Sequence, residues 1–125
     1  MRLLLDTNVI LWMLDDPERL SPLARDAIDD ASNTLMVSTV SILEVAIKLS
    51  TGKLEIAYDL LEAVTEEGCE ILEVKAEHAW TVRSLPLIHR DPFDRLLVAQ
   101  AICEKVVMVT SDRTLPRYGA PILRA

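Results

Sequence analysis

The segment RLLLDTNVILWML, residues 2–14, joins an apolar run to a helix-like run through an aspartate. Its leucines at 3–5 are typical of a strand buried on both faces of a parallel sheet. The run from Val9 favours a helix that ends near Pro17. A strand that leads directly into a helix begins a βαβ unit, which predicts an α/β fold. Asp6 would then lie at the carboxyl end of the strand, where such folds bind ligands.

The rest of the chain repeats this alternation of strands and helices. Further strands are predicted at residues 34–38, 70–74, 106–110 and 121–124. Further helices are predicted at residues 22–31, 41–52, 59–67, 76–85 and 92–104. We therefore expect a single domain over residues 1–125, a three-layer α/β/α sandwich around a mostly parallel sheet of about five strands.

Composition narrows the class of protein further. Hydrophobic residues make up 50% of the 125 residues, which favours one folded core. No apolar run reaches the roughly 18 residues of a membrane helix, so we expect a cytoplasmic protein without a membrane partner. Cys69 and Cys103 fit no metal-ligand spacing and are predicted to be buried free thiols in a reducing cytosol. The net charge of −7 argues, taken alone, against binding to nucleic acid.

Four acidic residues from distant parts of the chain are predicted to meet at one edge of the sheet. Asp6 follows the first strand, and Asp112 follows the fourth. The helix that begins at Pro92 should run antiparallel to the fourth strand, which places Asp94 at the same edge. Glu44 lies about one turn into the helix that leaves the second strand. Clustered carboxylates repel one another unless a cation intervenes, and oxygen donors favour Mg²⁺ or Mn²⁺.

Glu44 is surrounded by apolar residues in SILEVAIK, residues 41–48. A carboxylate in such surroundings must be protonated, paired or bound to a metal. One interpretation is a metal ligand, and the other is an i, i+4 ion pair with Lys48 on a solvated face. The pattern leaves both interpretations open.

A divalent cation held by the four acids would have a defined chemical use. Such cations acidify water for attack on a phosphodiester and offset charge on the leaving oxygen.

The segment HRDPFDR, residues 89–95, contains two further acids at the start of a helix. Asp91 before Pro92 is the pattern of a helix N-cap, so we interpret Asp91 as structural. Asp94 is the better candidate for chemistry, although a capping or helix-dipole role worth about 1 kcal/mol is the alternative. We expect the helix N-terminus to keep Asp94 ionised. His89 is predicted to lie in a loop or to support the site.

The ordered set of motifs resembles the PIN-domain ribonucleases, and within them the toxins of VapBC-type toxin–antitoxin pairs. The resemblance covers essentially the whole chain and is most specific in HRDPFDRLLVAQA, residues 89–101. The other matching segments are LLLDTNVILW, SILEVAIKLSTGKL and VTSDRTLPRYGAPIL. One departure is Asn8, where this branch often carries histidine.

The resemblance implies a PIN-like nuclease domain that acts as a type II toxin, with RNA as substrate and a cognate antitoxin as partner. It also implies a homodimer and hydrolysis that leaves a 5′-phosphate and a 3′-hydroxyl. The implied catalytic and Mg²⁺- or Mn²⁺-binding residues are Asp6, Glu44, Asp94 and Asp112. The residues that could support them, or serve only packing and turns, are Thr7, Asn8, Thr110 and Ser111.

Several arginines belong to segments at the predicted site edge and could form a local basic rim for RNA. These residues are Arg90, Arg95, Arg113 and Arg117. Solvated surface or pairing with carboxylates is the alternative interpretation. A rim of this size predicts modest RNA affinity with a shallow salt dependence.

Two other classes of protein compete with a nuclease. A binding module could keep the fold without activity, although all four candidate acids are present. A receiver-type signalling domain is disfavoured, because only one acid follows the first strand and no lysine lies beyond Lys105.

Overall fold

Five parallel strands form a single sheet at the centre of the computed structural model, which describes residues 1–125. The strands are β1 (Arg2–Leu5), β2 (Thr34–Ser38), β3 (Glu70–Leu72), β4 (Val107–Thr110) and β5 (Ile122–Arg124). Their order in the sheet is β3-β2-β1-β4-β5, and every neighbouring pair is parallel. The predicted α/β class is confirmed, and the sheet is entirely rather than mostly parallel.

Six α-helices connect the strands. They are α1 (Thr7–Asp15), α2 (Pro22–Asp29), α3 (Thr39–Ser50), α4 (Leu60–Glu66), α5 (Ala76–Thr81) and α6 (Pro92–Glu104). Short 3₁₀ turns lie at Pro17–Arg19, Val82–Ser84 and Leu115–Tyr118. The predicted helix at 76–85 was too long, because α5 gives way to a 3₁₀ turn before Pro86. The third strand was also predicted two residues too long.

The core has two halves, one on each face of the sheet. Alternation along β1 directs Leu4 to one face and Leu3 and Leu5 to the other. The Leu4 half includes residues of α6, such as Leu97, and the opposite half includes residues of α1, α2 and α4. A fully buried leucine contributes about 1.5–3 kcal/mol. The helices therefore cover both faces, as the predicted three-layer sandwich requires.

The strand order reverses between β1 and β4. From β1 the chain proceeds to β2 and β3 on one side, and β4 and β5 then add on the other side. Such a reversal leaves a crevice at the carboxyl ends of the two central strands. The backbone N–H of Asp6 donates to the carbonyl of Val109 at 3.0 Å, so the sheet holds Asp6 at the mouth of that crevice.

A buried histidine joins α5 to α6 away from this crevice. His78 is fully buried; its Nδ1 accepts from the N–H of Lys75 at 3.0 Å, and its Nε2 lies 3.2 Å from Glu104 Oε2. With Nδ1 as acceptor, the ring proton of neutral His78 lies on Nε2 and faces the carboxylate. Both ring nitrogens of His78 therefore have a hydrogen-bonding partner, and the contact with Glu104 connects α5 to α6.

The chain contains two cysteines. Cys69 and Cys103 are free, as predicted, but they are half-buried rather than buried. Burial and the nearby Glu67 raise the pKa of the Cys69 thiol to about 11.

None of the helices combines the length and the apolar character that crossing a membrane would need.

Candidate active site

A cleft at the carboxyl ends of β1 and β4, which we name the acidic cleft, is lined entirely by polar residues. Its lining is Asp6, Thr7, Asn8, Glu44, Lys48, Asp91, Asp94 and Asp112. Its volume is about 200 Å³. The structure thus brings together the four acids that the sequence singled out. Asp91 also lines the cleft, which its interpretation as a helix cap did not anticipate.

Asp6 is the most buried of the acids, with 7% of its surface exposed. Its Oδ1 accepts from the N–H of Thr7 at 2.7 Å, and its Oδ2 accepts from the hydroxyl of Thr110 at 2.6 Å. Burial raises the pKa of Asp6 above its ordinary value, although both hydrogen bonds act to lower it. The two donors hold the carboxylate in one orientation at the end of β1.

Glu44 forms the ion pair that one of its two interpretations predicted. Its Oε2 accepts from Nζ of Lys48 at 2.9 Å, so the i, i+4 ion pair is present. The pair does not lie on a solvated face, because only 14% of the Glu44 side chain is exposed. Its Oε1 lies 2.9 Å from the hydroxyl of Thr7, which directs the carboxylate into the acidic cleft.

Asp94 corrects an expectation of the sequence analysis. Burial, followed by repulsion from Asp6 and Asp91, raises the pKa of Asp94 to about 7. The N-terminus of α6 was expected to keep this carboxyl ionised. Helix-dipole effects amount to about 1 kcal/mol, whereas burial and like charges shift carboxyl pKa values by several units. The position in the fold therefore outweighs the local helix effect.

His89 bridges two of the acids. Its Nε2 lies 3.2 Å from Oδ2 of Asp94 and 3.2 Å from Oδ2 of Asp112. Its Nδ1 accepts from the N–H of Asp91 at 3.1 Å, so the proton of the neutral ring lies on Nε2 and faces both carboxylates. The prediction that His89 lies in a loop or supports the site agrees with this position, but the sequence gave no signal for the bridge itself, because the contact with Asp112 spans 23 residues.

The pKa of Asp112 is shifted in the opposite direction from that of Asp94. Burial acts to raise its pKa, but hydrogen bonds from Thr114, together with His89, outweigh burial and lower the pKa. Its Oδ1 accepts from the N–H of Thr114 at 2.8 Å and from the Thr114 hydroxyl at 2.7 Å. Asp112 therefore stays ionised under conditions in which Asp94 holds a proton.

The candidate supporting residues occupy different positions. Thr110 donates to Asp6, and its hydroxyl accepts from the N–H of Asp112 at 3.0 Å. Asn8 is exposed and lines the acidic cleft, whereas Ser111 does not line it. Ser41 was missed by the sequence analysis, although its hydroxyl lies 2.9 Å from that of Thr7. A buried serine on a helix face carries no pattern that distinguishes this role from ordinary packing.

Asp91 begins α6 as its N-cap. Its Oδ1 accepts from the N–H of Phe93 at 2.8 Å, and Pro92 follows at the first helical position. The same side chain borders the acidic cleft and raises the pKa of Asp94.

The candidate RNA-binding arginines divide into two groups. Arg90, Arg113 and Arg117 are exposed. The guanidinium of Arg95 is half-buried and donates to four backbone carbonyls within residues 82–89, at 2.9–3.4 Å. Arg95 therefore fastens the loop before α6, and the expectation that it contributes to a free basic rim is corrected.

The donor set of the acidic cleft fits a hard divalent cation. Carboxylates that follow β1 and β4, or lie in α3 and α6, line one small space. Among them, the carboxylates of Asp94 and Asp112 lie together with His89 within 4.8 Å of one another. Burial, together with neighbouring carboxylates, raises the pKa of both Asp6 and Asp94, which a bound cation would offset. Oxygen ligands in this number are those that Mg²⁺ and Mn²⁺ prefer.

Comparison with known proteins agrees with this geometry. The sequence model of the PIN domain family matches residues 3–121. The chain is 32% identical over 121 residues to Ribonuclease VapC22 of Mycobacterium tuberculosis (strain ATCC 25618 / H37Rv). That alignment covers 94% of this chain and 92% of the relative.

Solved structures share the fold over nearly the full length. The complex of VapBC2 from Rickettsia felis with a promoter DNA fragment gives a TM-score of 0.75 at 16% identity, covering 99% of this chain and 98% of the matched chain. DNA-bound VapBC from Salmonella typhimurium gives a TM-score of 0.69 at 19% identity, again covering 99% of this chain and 98% of the matched chain. Sequence, sheet order and acidic cleft lead to one conclusion: the chain belongs to the PIN domain family and is a homologue of the VapC ribonucleases.

Proposed function

We propose that the protein is the toxin of a type II toxin–antitoxin system and acts as a divalent-metal-dependent endoribonuclease. The observation that carries this proposal is the presence of four carboxylates from four separate segments of the chain in the lining of one cleft. The homologue named Ribonuclease VapC22 gives the activity class, a nuclease that hydrolyses phosphodiester bonds.

Asp6 and Asp94 are the proposed direct ligands of Mg²⁺ or Mn²⁺, and Asp112 completes the set. Glu44 either binds the ion or orients the attacking water. A divalent cation supplies acidified water and offsets the charge of a phosphodiester. The raised pKa of Asp94, about 7, supports this assignment, because a cation would offset both the burial and the neighbouring negative charges that raise it.

The surrounding residues keep these carboxylates in place. Thr110 and the N–H of Thr7 orient Asp6, and Lys48 orients Glu44. His89 holds Asp94 and Asp112 toward each other in the absence of a cation. We assign Asn8, which lines the cleft, a supporting role at the edge of the site. Fixed ligands reduce the reorganisation that a reacting phosphodiester would otherwise require.

RNA must approach this site on a protein whose net charge is −7. The exposed side chains of Arg90, Arg113 and Arg117 supply local positive charge in the loops that flank Asp94 and Asp112. Few phosphate contacts mean modest affinity and a shallow dependence on salt.

The proposed partner is a cognate antitoxin, in a toxin–antitoxin hetero-oligomer that also contains a toxin homodimer. The VapBC complexes from Rickettsia felis and Salmonella typhimurium, whose toxin fold this chain shares, support that partnership. The free thiols Cys69 and Cys103 fit a reducing compartment, so we propose that the protein acts in the cytoplasm.

The test is cleavage of labelled total RNA by the purified protein, freed of any antitoxin, with Mg²⁺, Mn²⁺ or EDTA. We expect discrete products with 5′-phosphate and 3′-hydroxyl ends, absent with EDTA. Asp6→Asn should reduce cleavage by at least about 100-fold, the scale of losing a group needed in the transition state.

The matched control for this test is Asp59→Asn, which makes the same substitution at the N-cap of α4, outside the acidic cleft. Asparagine caps helices as well as aspartate does, so this variant should cut RNA like the wild type. Absence of cleavage by folded wild-type protein with either metal would favour a binding module that keeps the fold without activity.

A further inference from the structure

A second cavity, which we name the side cavity, adjoins the acidic cleft between α3 and the start of α6. It is lined by Glu44, Ile47, Lys48, Thr51, Lys53, Asp91 and Phe93 and has a volume of about 240 Å³. Glu44, Lys48 and Asp91 line both spaces, so the two cavities are neighbours that share one wall. A chain-like ligand held at the acids would therefore have its next unit close to the side cavity.

The end of α3 brings two lysines to this cavity. Gly52 has a φ of +73°, a conformation that favours glycine, and it reverses the chain after the helix. The N–H of Lys53 then donates to the carbonyl of Lys48 at 2.9 Å, and that of Gly52 donates to the carbonyl of Leu49 at 3.3 Å. These two bonds form a Schellman motif. The backbone therefore fixes Lys53 beside Lys48.

The two lysines differ in what they can still bind. Nζ of Lys48 is engaged by Glu44 at 2.9 Å. Lys53 is exposed and has no carboxylate within ion-pairing distance. Lys53 is thus a cation available to an anionic ligand next to the acidic cleft.

Phe93 supplies an aromatic surface to the same cavity. It is the only phenylalanine of the chain and follows Pro92 in the first turn of α6. Its side chain packs partly against the core and stays half-buried, so part of the ring remains free to line the cavity. Aromatic rings that line a groove beside a cation are the elements that bind unstacked nucleotides.

We propose that the side cavity is a nucleotide subsite for single-stranded RNA, in which the base next to the scissile phosphodiester stacks on Phe93 and its flanking phosphate contacts Lys53. The inference rests on the proposed ribonuclease function and adds two residues that would position its substrate. RNA within a duplex keeps its bases stacked, so stacking on Phe93 requires a single-stranded loop or end.

Binding of a fluorescein-labelled single-stranded RNA of about ten nucleotides tests the subsite apart from cleavage, since such grooves hold about 4–16 nucleotides. Fluorescence anisotropy is recorded with EDTA and with Mg²⁺. Phe93→Leu keeps an apolar side chain but loses the aromatic face, so we expect about 5- to 100-fold weaker binding. Phe93→Tyr should bind like the wild type.

The salt dependence of the affinity for the same RNA tests the proposed phosphate contact of Lys53. Lys53→Ala should weaken binding and reduce the slope of log affinity against log salt by about 0.7, the value for one phosphate contact on single strands. Lys53→Arg should keep the slope. Lys75→Ala is the matched control, because it removes one exposed lysine whose ion pair is with Glu104, away from the acidic cleft. Thermal melting checks that each variant is folded.

The outcomes separate this inference from the proposed activity. Wild-type protein that binds RNA through Phe93 and Lys53 but never cuts it would support the subsite and contradict the ribonuclease function. Cleavage with unchanged affinity and cut sites in folded Phe93→Leu and Lys53→Ala would overturn the subsite and leave the activity standing. Equal affinity for duplex and single-stranded RNA would also overturn it.

Discussion

At the scale of single residues, Asp94 and Asp112 show how position decides protonation. Both approach the same imidazole nitrogen of His89 at 3.2 Å. Burial raises the pKa of Asp94 to about 7, whereas donors from Thr114 lower that of Asp112 despite its partial burial. Neither shift was visible in the sequence, because both depend on groups that only the fold brings together.

The raised pKa of Asp94 predicts how stability changes with pH in metal-free protein. The folded state keeps this proton up to about pH 7, whereas an unfolded chain releases it near 3.8. Between these values the folded state binds more protons, so its stability should fall as pH rises. Asp6 acts in the same direction, since its pKa is also raised.

Melting temperatures in EDTA at about pH 5.5 and about pH 8 measure this effect. The wild type should melt at a lower temperature at the higher pH. Asp94→Asn, which cannot ionise, should reduce the difference, and adding Mn²⁺ should restore stability mainly at the higher pH. An identical pH dependence in wild type and Asp94→Asn would show that Asp94 is not the group responsible.

At the scale of elements, α6 is the part of the fold that its own sequence specified best. It was predicted at 92–104 and spans Pro92–Glu104, because Asp91 and Pro92 mark its start unambiguously. The β3 strand was predicted less well, since residues 73 and 74 continue an apolar alternation but have no strand partner beyond Leu72. Strand ends depend on neighbours that are distant in the chain.

The capping role of Asp91 predicts a graded effect on stability. Asp91→Ala removes the acceptor for the N–H of Phe93 and should lower the free energy of unfolding by about 1 kcal/mol. Asp91→Asn keeps a capping oxygen and removes the repulsion with Asp94, so it should be at least as stable as the wild type. Urea unfolding without metal measures both. A wild-type stability for Asp91→Ala would contradict the capping role.

At the scale of the whole molecule, strand order places the site. The reversal between β1 and β4 opens the crevice in which Asp6 and Asp112 face Asp94. The sequence predicted that these acids share one edge of the sheet. Asp6 and Asp112 each follow a strand, and Asp94 lies at the start of the helix that leads into β4. The sequence could not predict the bridge made by His89 or the hydrogen bonds of Arg95 to the loop, because both depend on the conformation of the segment before α6.

The central claim is that the carboxylates of the acidic cleft bind a divalent cation that RNA hydrolysis requires. The most direct measurement is the single-turnover cleavage rate as a function of Mn²⁺ concentration, for the wild type and for Asp94→Asn. We predict a rate that saturates with Mn²⁺ in the wild type and falls by at least about 100-fold in folded Asp94→Asn. A rate that is independent of Mn²⁺, or equal in the two proteins, would contradict the claim.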